Sequence, residues 1–507
     1  MPKDKYIEVM DTTLRDGEQT QGVSFSPNEK LSIAKRLFGA GVDRIEVANA
    51  AVSKGEELAV KKITAWARKN KLLGRVEILG LVDGKRSVDW ISSCGGKAVN
   101  ILAKGSLKHL EVQLRKTPEQ HIKDISETVK YARKKGFAVN VYLEDWSNGM
   151  LSSKGYVLSL VSALAEMGVD RVVLPDTLGI LSPDEVKSFV GELADKYPQV
   201  RFDFHAHNDY GLASANTLAA VNAGAKGVHV TVNGLGERAG NAPLDEVTAL
   251  INDKTNFRTG VSEKSLVGLS RLVEAFSGRR IPPNKPISGE SFFTHTGGIH
   301  ADGERKGQLY TSPLSPRRFM QKREYALGKL SGRASLENNL GQMGIELNAE
   351  QKRSLLAKVV ALGDQKKTVT KEDLPFLISD VLQAPGEKKV LIKKVVVNSG
   401  KGITPSAKLT LLYNGKAADA DSEGTGGYDA FMNALRKAAK PFGLKLPKLV
   451  DYNVRIPPGG KTDALVETTI TWQENGERFK TIGVDSDQVM AAVSATEKML
   501  NILTLRG

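Results

Sequence analysis

One unit recurs eight times between Tyr6 and about Asp253: a short apolar, β-branched run, a polar cluster at its end, then an amphipathic stretch. The strand-like runs are Tyr6–Thr13, Arg44–Ala48, Val76–Val82, Ala98–Ala103, Ala138–Leu143, Arg171–Leu174, Arg201–Phe204 and Gly227–Val232. Between them, stretches such as Pro27–Phe38, Thr117–Lys135, Ser182–Lys196 and Gly211–Ala223 carry apolar residues at helical spacing. Near-continuous apolar strands alternating with helices are buried on both faces, as parallel strands are. Eight such units in about 250 residues predict an α/β fold, a (β/α)8 TIM barrel. A doubly wound open sheet is the alternative. It calls for a Gly-rich turn after the first strand, where this chain reads Thr-Leu-Arg-Asp-Gly-Glu-Gln.

Barrel active sites lie at the C-terminal ends of the strands, and polar residues gather there. Arg15, Asp16, Glu18 and Gln19 follow the first run, and Glu46 lies in the second. Tyr142, Glu144 and Asp145 end the fifth, and Asp176 and Thr177 the sixth. His205, His207, Asn208 and Asp209 end the seventh, and Asn233, Glu237, Arg238 and Asn241 follow the eighth. Core packing does not ask for a ring of charges at one end.

His205-Ala206-His207 is the sharpest local feature. In a strand, residues i and i+2 face the same way, so both imidazoles can reach one point. Closure makes strands 7, 8 and 1 contiguous, which brings Asp16 and Asn241 beside the pair. Two neutral imidazoles, a carboxylate and room for substrate suit a divalent cation such as Zn, Mn or Mg. His-x-His alone would read as ordinary strand-end polarity; the polar ring favours metal. Arg15 is the natural group to steady a developing oxyanion, with Glu46 expected to orient it through a bidentate pair or to serve only as architecture. Glu144 reads as a general base or as the group that orients one, and Tyr142 as pocket or core. His109, His121 and His229 read as structural. His295 and His300 lie in a Gly-rich stretch beyond the barrel, candidates for a lid or a partner-subunit catalyst.

Composition removes other classes. With 40% hydrophobic and 26% charged residues, the 507-residue chain is neither disordered nor fibrous and suffices for several domains. Its 72 Lys and Arg exceed its 58 Asp and Glu by 14, yet no basic stripe with interleaved aromatics appears, so nucleic acid is not the expected partner. The excess instead favours anionic small molecules. No apolar run approaches the ~18 residues of a membrane span, the start shows no signal-peptide core, and the lone Cys94 fits a reducing compartment, so a cytoplasmic protein is expected.

Asp11-Thr-Thr-Leu-Arg-Asp-Gly-Glu-Gln19, Glu46, His205-Ala-His207-Asn-Asp209 and Asn233-Gly-Leu-Gly-Glu-Arg-Ala-Gly-Asn241 together resemble the Claisen-condensing acyltransferases of the isopropylmalate, homocitrate and citramalate synthase family. The likeness extends through Ser331-Gly-Arg333 into the C-terminal region and is nearest to the citramalate-forming members. It implies acetyl-CoA as cosubstrate and a 2-oxo acid acceptor, condensed at one metal ion on Asp16, His205 and His207, with Asn241 in or near the shell. By the same resemblance Arg15 stabilises the alkoxide, and Glu144 works as base with His300 from the neighbouring subunit of a homodimer, accompanied by Asp302 and Tyr310. The side-chain pocket reads Leu79, Leu102, Tyr142 and Thr177. Its bulk favours pyruvate, hence citramalate in isoleucine biosynthesis; 2-oxoisovalerate, hence 2-isopropylmalate, is the alternative. Gln308 departs from the Asn of the citramalate enzymes.

Residues 254–325, rich in Gly, Pro and Arg, read as an irregular linker subdomain following a catalytic domain over 1–253. Residues 326–387 read as helical (Ala334–Met343, Ala349–Leu362, Asp373–Leu382), ending in a hinge at Ala384-Pro-Gly-Glu387. Residues 388–507 show a strand-rich pattern twice, each closed by a helix: a duplicated βββα unit. Gly424-Thr-Gly-Gly427 reads as a turn. By resemblance this is a regulatory and dimerisation domain, with Tyr428, Asp429, Leu449, Tyr452, Ile456 and Val466 around an isoleucine effector or, equally, in dimer packing.

Overall fold

The computed structural model describes residues 5–307, 309–342, 345–364, 369, 374, 377, 378, 389–455 and 466–506. Its first compact unit comprises residues 1–293 and 311–323, its second residues 294–310 and 324–507.

In the first unit eight parallel strands close in sequence order: β1 (Glu8–Asp11), β2 (Arg44–Asn49), β3 (Val76–Leu81), β4 (Ala98–Lys104), β5 (Ala138–Glu144), β6 (Arg171–Asp176), β7 (Phe202–Ala206) and β8 (Gly227–Val230). Closure is made by β1 against β8, with Met10 opposite His229 and Asp11 opposite Val230. The TIM barrel is thus observed. Three of its helices begin alike, at Ser26-Pro-Asn-Glu, Thr117-Pro-Glu-Gln and Ser182-Pro-Asp-Glu. The hydroxyl accepts from the third helical amide, the Glu or Gln side chain accepts from the capping residue's own amide, and proline supplies its fixed φ at the first position. Each such cap stabilises its helix by about 1 kcal/mol.

Between strands and helices lies a continuous aliphatic core, including Ile7, Val9, Ile45, Val47, Ile78, Val99, Val139, Val172, Phe204 and Val228. The inside of the barrel is different. An apolar layer of Met10, Leu79, Tyr142 and Val173, with Leu102 packed on it, gives way to buried charge near the strand starts. There Arg44 pairs with Glu77 at 2.8 Å, with Asp203, and with Glu8 at 3.2 Å, and Glu8 in turn holds Arg171 at 2.7 Å and Arg201 at 2.8 Å. No hydrophobic periodicity announces such a plug, because each member is a single polar residue within or at the start of an apolar run.

The expected irregularity of 254–325 is corrected in part. Glu263–Ser277 is a helix of 15 residues, burying Leu266, Val267, Leu269 and Val273 on one face and ending in the left-handed Gly278 (φ +66°). Its apolar spacing is helical, and the Gly and Pro content that suggested a linker is concentrated after it.

In the second unit, β9 (Thr294–His295) pairs with β10 (Glu324–Tyr325); helices Arg333–Gln342 and Ala349–Asp364 follow the expected helical pattern, whereas helix Gly298–Gly307 is a further correction to the stretch expected to be irregular. The expected helix Asp373–Leu382 and hinge at 384–387 lie essentially outside the described residues. The duplication is observed: β11 (Val390–Asn398), β12 (Ser406–Tyr413) and β13 (Lys416–Glu423) form one antiparallel sheet followed by helix Gly427–Ala439. Strands β14 (Lys448–Arg455), β15 (Val466–Glu474) and β16 (Glu477–Asp485) form the second, followed by helix Gln488–Arg506. One core joins both repeats, around Leu409, Leu411, Phe431, Leu435, Ile470, Trp472, Met499 and Leu500.

Candidate metal and substrate site

His205 is the fourth residue of β7, and His207 stands just beyond it with its backbone bridged to Asn241. Their Nε2 atoms lie 3.4 Å apart, and Asp16 Oδ2, on the turn after β1, is 3.3 Å from the first and 3.8 Å from the second. All three residues are buried. A point equidistant from the three atoms lies about 2.0 Å from each, the length of zinc bonds to nitrogen and oxygen. Asp16 Oδ1, both histidine Nδ1 atoms and Asn241 Oδ1 are buried with no protein hydrogen-bond partner. Such a group of orphaned donors and acceptors is costly unless something else satisfies it. Asp16, His205 and His207 form the one cluster of potential metal-binding side chains found among the described residues. The donor set, one carboxylate and two imidazoles, fits Zn, Mn or another divalent ion.

Electrostatics favour the liganding forms. Burial pushes the Asp16 carboxyl up, but Arg15, His205 and His207 together hold it well below the ordinary carboxylate range. Burial pushes His207 down to about 4 against the opposing pull of Asp16, so the ring is neutral at physiological pH. Local backbone geometry makes the neighbouring loop possible. A Cβ on Gly236 (φ +158°) would overlap the Asn241 amide, and one on Gly240 (φ +87°) the Gly234 carbonyl. Those glycines let the chain fold back and place Asn241.

Arg15 is buried and split between two acids: Nε donates to Glu46 at 2.5 Å and Nη1 to Asp16 at 2.9 Å. The expected bidentate pair with Glu46 is therefore corrected to a single contact, because Thr12 Oγ1 (2.8 Å) and Asn100 Nδ2 (2.7 Å) fill the rest of the carboxylate. Burial works against the Arg15 charge, and Glu46 and Asp16 more than restore it. The guanidinium lies 5.8 Å from the centroid of Tyr142. Tyr142, Leu79 and Leu102 meet in the apolar layer. Thr177 Oγ1 accepts from the Asp145 amide at 2.9 Å, which leaves its hydroxyl proton to donate elsewhere. Glu144, at the end of β5, is ion-paired with Lys104 at the end of β4.

Some of this escaped sequence reading. Lys104 ends an apolar run, so the rule that singled out Glu144 applies to it equally. Asn100 and His229 interrupt apolar runs, a weaker signal of inward-facing polarity. Lys30 is fully buried on the helix after β1, its ammonium held by Glu18 (2.6 Å), Glu56 (2.5 Å) and the carbonyls of Leu14 (3.0 Å) and Val47 (3.3 Å). Those carbonyls flank Arg15 and Glu46, a relation invisible without coordinates. His109 and His121 are used locally, on Asp145 and on the Lys104 amide.

In the second unit His300, Asp302 and Tyr310 come together with His295. The His300 and Tyr310 rings lie 4.4 Å apart, His295 is 6.0 Å from His300, and Asp302 pairs with Lys306 at 2.6 Å. His300 and Asp302 line a cavity of about 680 Å³ with Ile299, Leu330, Gly332 and Arg333, so the Ser-Gly-Arg motif meets the histidine segment there. Gln308 lies outside the described residues. In the C-terminal domain the Tyr428 and Tyr452 rings meet at 5.1 Å with a 45° tilt, and the Tyr428 hydroxyl is 2.7 Å from Thr496 Oγ1. Asp429 accepts from the Thr425 amide, which makes the Gly424–Gly427 turn a helix start. Val466 is buried and Leu449 exposed, and Ile456 lies outside the described residues.

Comparison with known proteins fits this arrangement. The HMGL-like family model matches residues 6–273, the homocitrate synthase post-HMGL domain-like model residues 287–367, and the LeuA allosteric (dimerisation) domain model residues 368–504. The (R)-citramalate synthase of Methanocaldococcus jannaschii is 36% identical over 499 residues, covering 98% of this chain and 99% of its own. The 2-isopropylmalate synthase of the same organism is 35% identical over 502 residues, covering 98% and 94%. With the barrel, the polar strand ends and the duplicated C-terminal domain already on view, these matches place the chain in the isopropylmalate, homocitrate and citramalate synthase family.

Proposed function

We propose that this enzyme is an acyltransferase condensing acetyl-CoA with pyruvate to give (R)-citramalate and CoA, with one divalent ion on Asp16, His205, His207 and Asn241. The observation that carries the acceptor is the apolar layer of Met10, Leu79, Tyr142 and Val173, with Leu102 against it. Bulky side chains there oppose an isopropyl group more than a methyl group, by about 1–3 kcal/mol per methylene.

A divalent ion held by Asp16, His205 and His207 would supply Lewis-acid polarisation of the bound 2-oxo acid. Arg15, locked in its charged form by Glu46 and Asp16, supports the negative charge that collects on the keto oxygen. Glu144 with His300 of the partner subunit removes a methyl proton from acetyl-CoA, Lys104 orienting the Glu144 carboxylate. The enolate carbon attacks the keto carbon, the alkoxide is protonated, and water cleaves the thioester to free CoA. Tyr310, its ring 4.4 Å from that of His300, and Asp302 accompany His300, and Thr177 offers its hydroxyl to the acceptor carboxylate. The C-terminal domain dimerises and takes isoleucine beside Tyr428, Asp429, Leu449, Tyr452, Ile456 and Val466, in a cytoplasmic biosynthetic route. Among the described residues no helix is long and apolar enough to cross a membrane.

A second reading, 2-isopropylmalate synthase, is favoured by the near-equal identity to relatives of both names. Steady-state CoA release with pyruvate and with 2-oxoisovalerate decides between them. Higher kcat/KM for pyruvate is expected; the reverse order refutes the proposal.

A further inference from the structure

One hydrogen-bonded line crosses the inside of the barrel beside the apolar layer. Tyr142 on β5 and His229 on β8 are both buried, with the phenol oxygen 3.1 Å from His229 Nδ1 and the ring centroids 5.4 Å apart. The other ring nitrogen, Nε2, lies 3.4 Å from Asp203 Oδ2 on β7. Asp203 is itself buried and ion-paired with Arg44, so its oxygens only accept. That arrangement selects one tautomer. His229 Nε2 carries the hydrogen and donates it to Asp203, Nδ1 is left as an acceptor, and the Tyr142 hydroxyl donates to Nδ1.

A tyrosine ring turns about two side-chain bonds, and this contact holds its far end. The same ring forms part of the apolar layer, and Arg15 lies over it at 5.8 Å. We infer that His229, oriented by Asp203, is a positioning residue that pins the Tyr142 ring and so fixes the acceptor side-chain pocket at the size of a methyl group. The inference rests on the pyruvate reading above. It gives a role to a histidine that reads as structural in sequence.

The test is the ratio of kcat/KM for pyruvate to that for 2-oxobutyrate, one methylene longer, measured on full-length metal-loaded enzyme. His229→Leu removes the acceptor; Tyr142→Phe removes the donor and keeps the ring. Each is expected to lower the ratio about tenfold, the worth of one buried hydrogen bond. The double variant should fall no further than either single one, because both remove the same contact. His229→Asn keeps an acceptor near the Nδ1 position and should recover most of the ratio. A merely structural role would depress kcat for both acceptors alike and leave the ratio in place. An unchanged ratio in Tyr142→Phe, or a double variant whose loss is the product of the two single losses, overturns the inference. Should His229→Leu fail to fold, Tyr142→Phe and His229→Asn carry the same test. A wild-type enzyme that prefers 2-oxoisovalerate overturns the acceptor reading itself, a failure seen before any variant is made.

Discussion

Replacing Glu46 by Gln tests whether Arg15 is held by an ion pair or merely packed. Glu46 is fully buried, and every contact it makes is as an acceptor: Arg15 Nε at 2.5 Å, Thr12 Oγ1 at 2.8 Å and Asn100 Nδ2 at 2.7 Å. Glutamine keeps the shape but offers one acceptor oxygen and one NH2 group. If the oxygen faces Arg15 and Thr12, the NH2 meets the Asn100 NH2. Asn100 can turn over only if Asn140, which donates to its Oδ1 at 2.8 Å, turns with it, and the unsatisfied donor is then the Asn140 amide. The variant thus loses one charged hydrogen bond, leaves a buried donor unsatisfied and removes half of the compensation for Arg15, a loss of about 2–4 kcal/mol in folding stability. A guanidinium no longer steered towards the reacting oxygen should lower kcat by about 10²-fold, the scale of one removed oxyanion donor. Urea unfolding gives the first quantity and steady-state CoA release the second. A variant within about threefold of wild-type kcat and within about 0.5 kcal/mol of its stability would show that Arg15 needs no Glu46 charge, and would refute the reasoning.

Two further outcomes are expected. Lys30→Met should destabilise the fold by about 3–5 kcal/mol in urea unfolding, since it leaves two buried carbonyls and two carboxylates without their cation; an unchanged midpoint would contradict that role. His121 is pushed down to about 4, by burial first and then by Lys116. Between its unfolded value near 6.5 and pH 4 the unfolded chain therefore binds a proton that the folded one does not. Its contribution is fully present above pH 6.5 and is lost as pH falls towards 4, by about 3 kcal/mol; His121→Gln should flatten that part of the stability profile.

The barrel was legible because its signal is repeated: eight apolar runs alternating with helically spaced stretches each announce one unit. The duplicated βββα domain was legible for the same reason, since its strand-rich pattern and closing helix occur twice. Asp16, His205 and His207 were found because a two-residue strand period and barrel closure suffice to bring them together. What stayed hidden depends on single polar residues facing inward. Lys30 looks like any helical lysine, and Asp203 and Arg44 look like strand-edge charges. His229 acquires meaning only when Tyr142 is seen across the barrel. Helix Glu263–Ser277 was missed because local Gly and Pro content outweighed its apolar spacing.

The central claim is that Asp16, His205 and His207 hold the one ion the reaction needs. Metal content and CoA release, measured on the same samples of wild-type enzyme and His207→Ala, test it most directly. About one divalent ion per chain is expected in the wild type, with turnover lost on chelation and restored by Mn, Zn or Mg, and with both ion and turnover lost in the variant while its circular dichroism is kept. A variant that retains its metal and its turnover, or a chelated wild type that turns over undiminished, would contradict it.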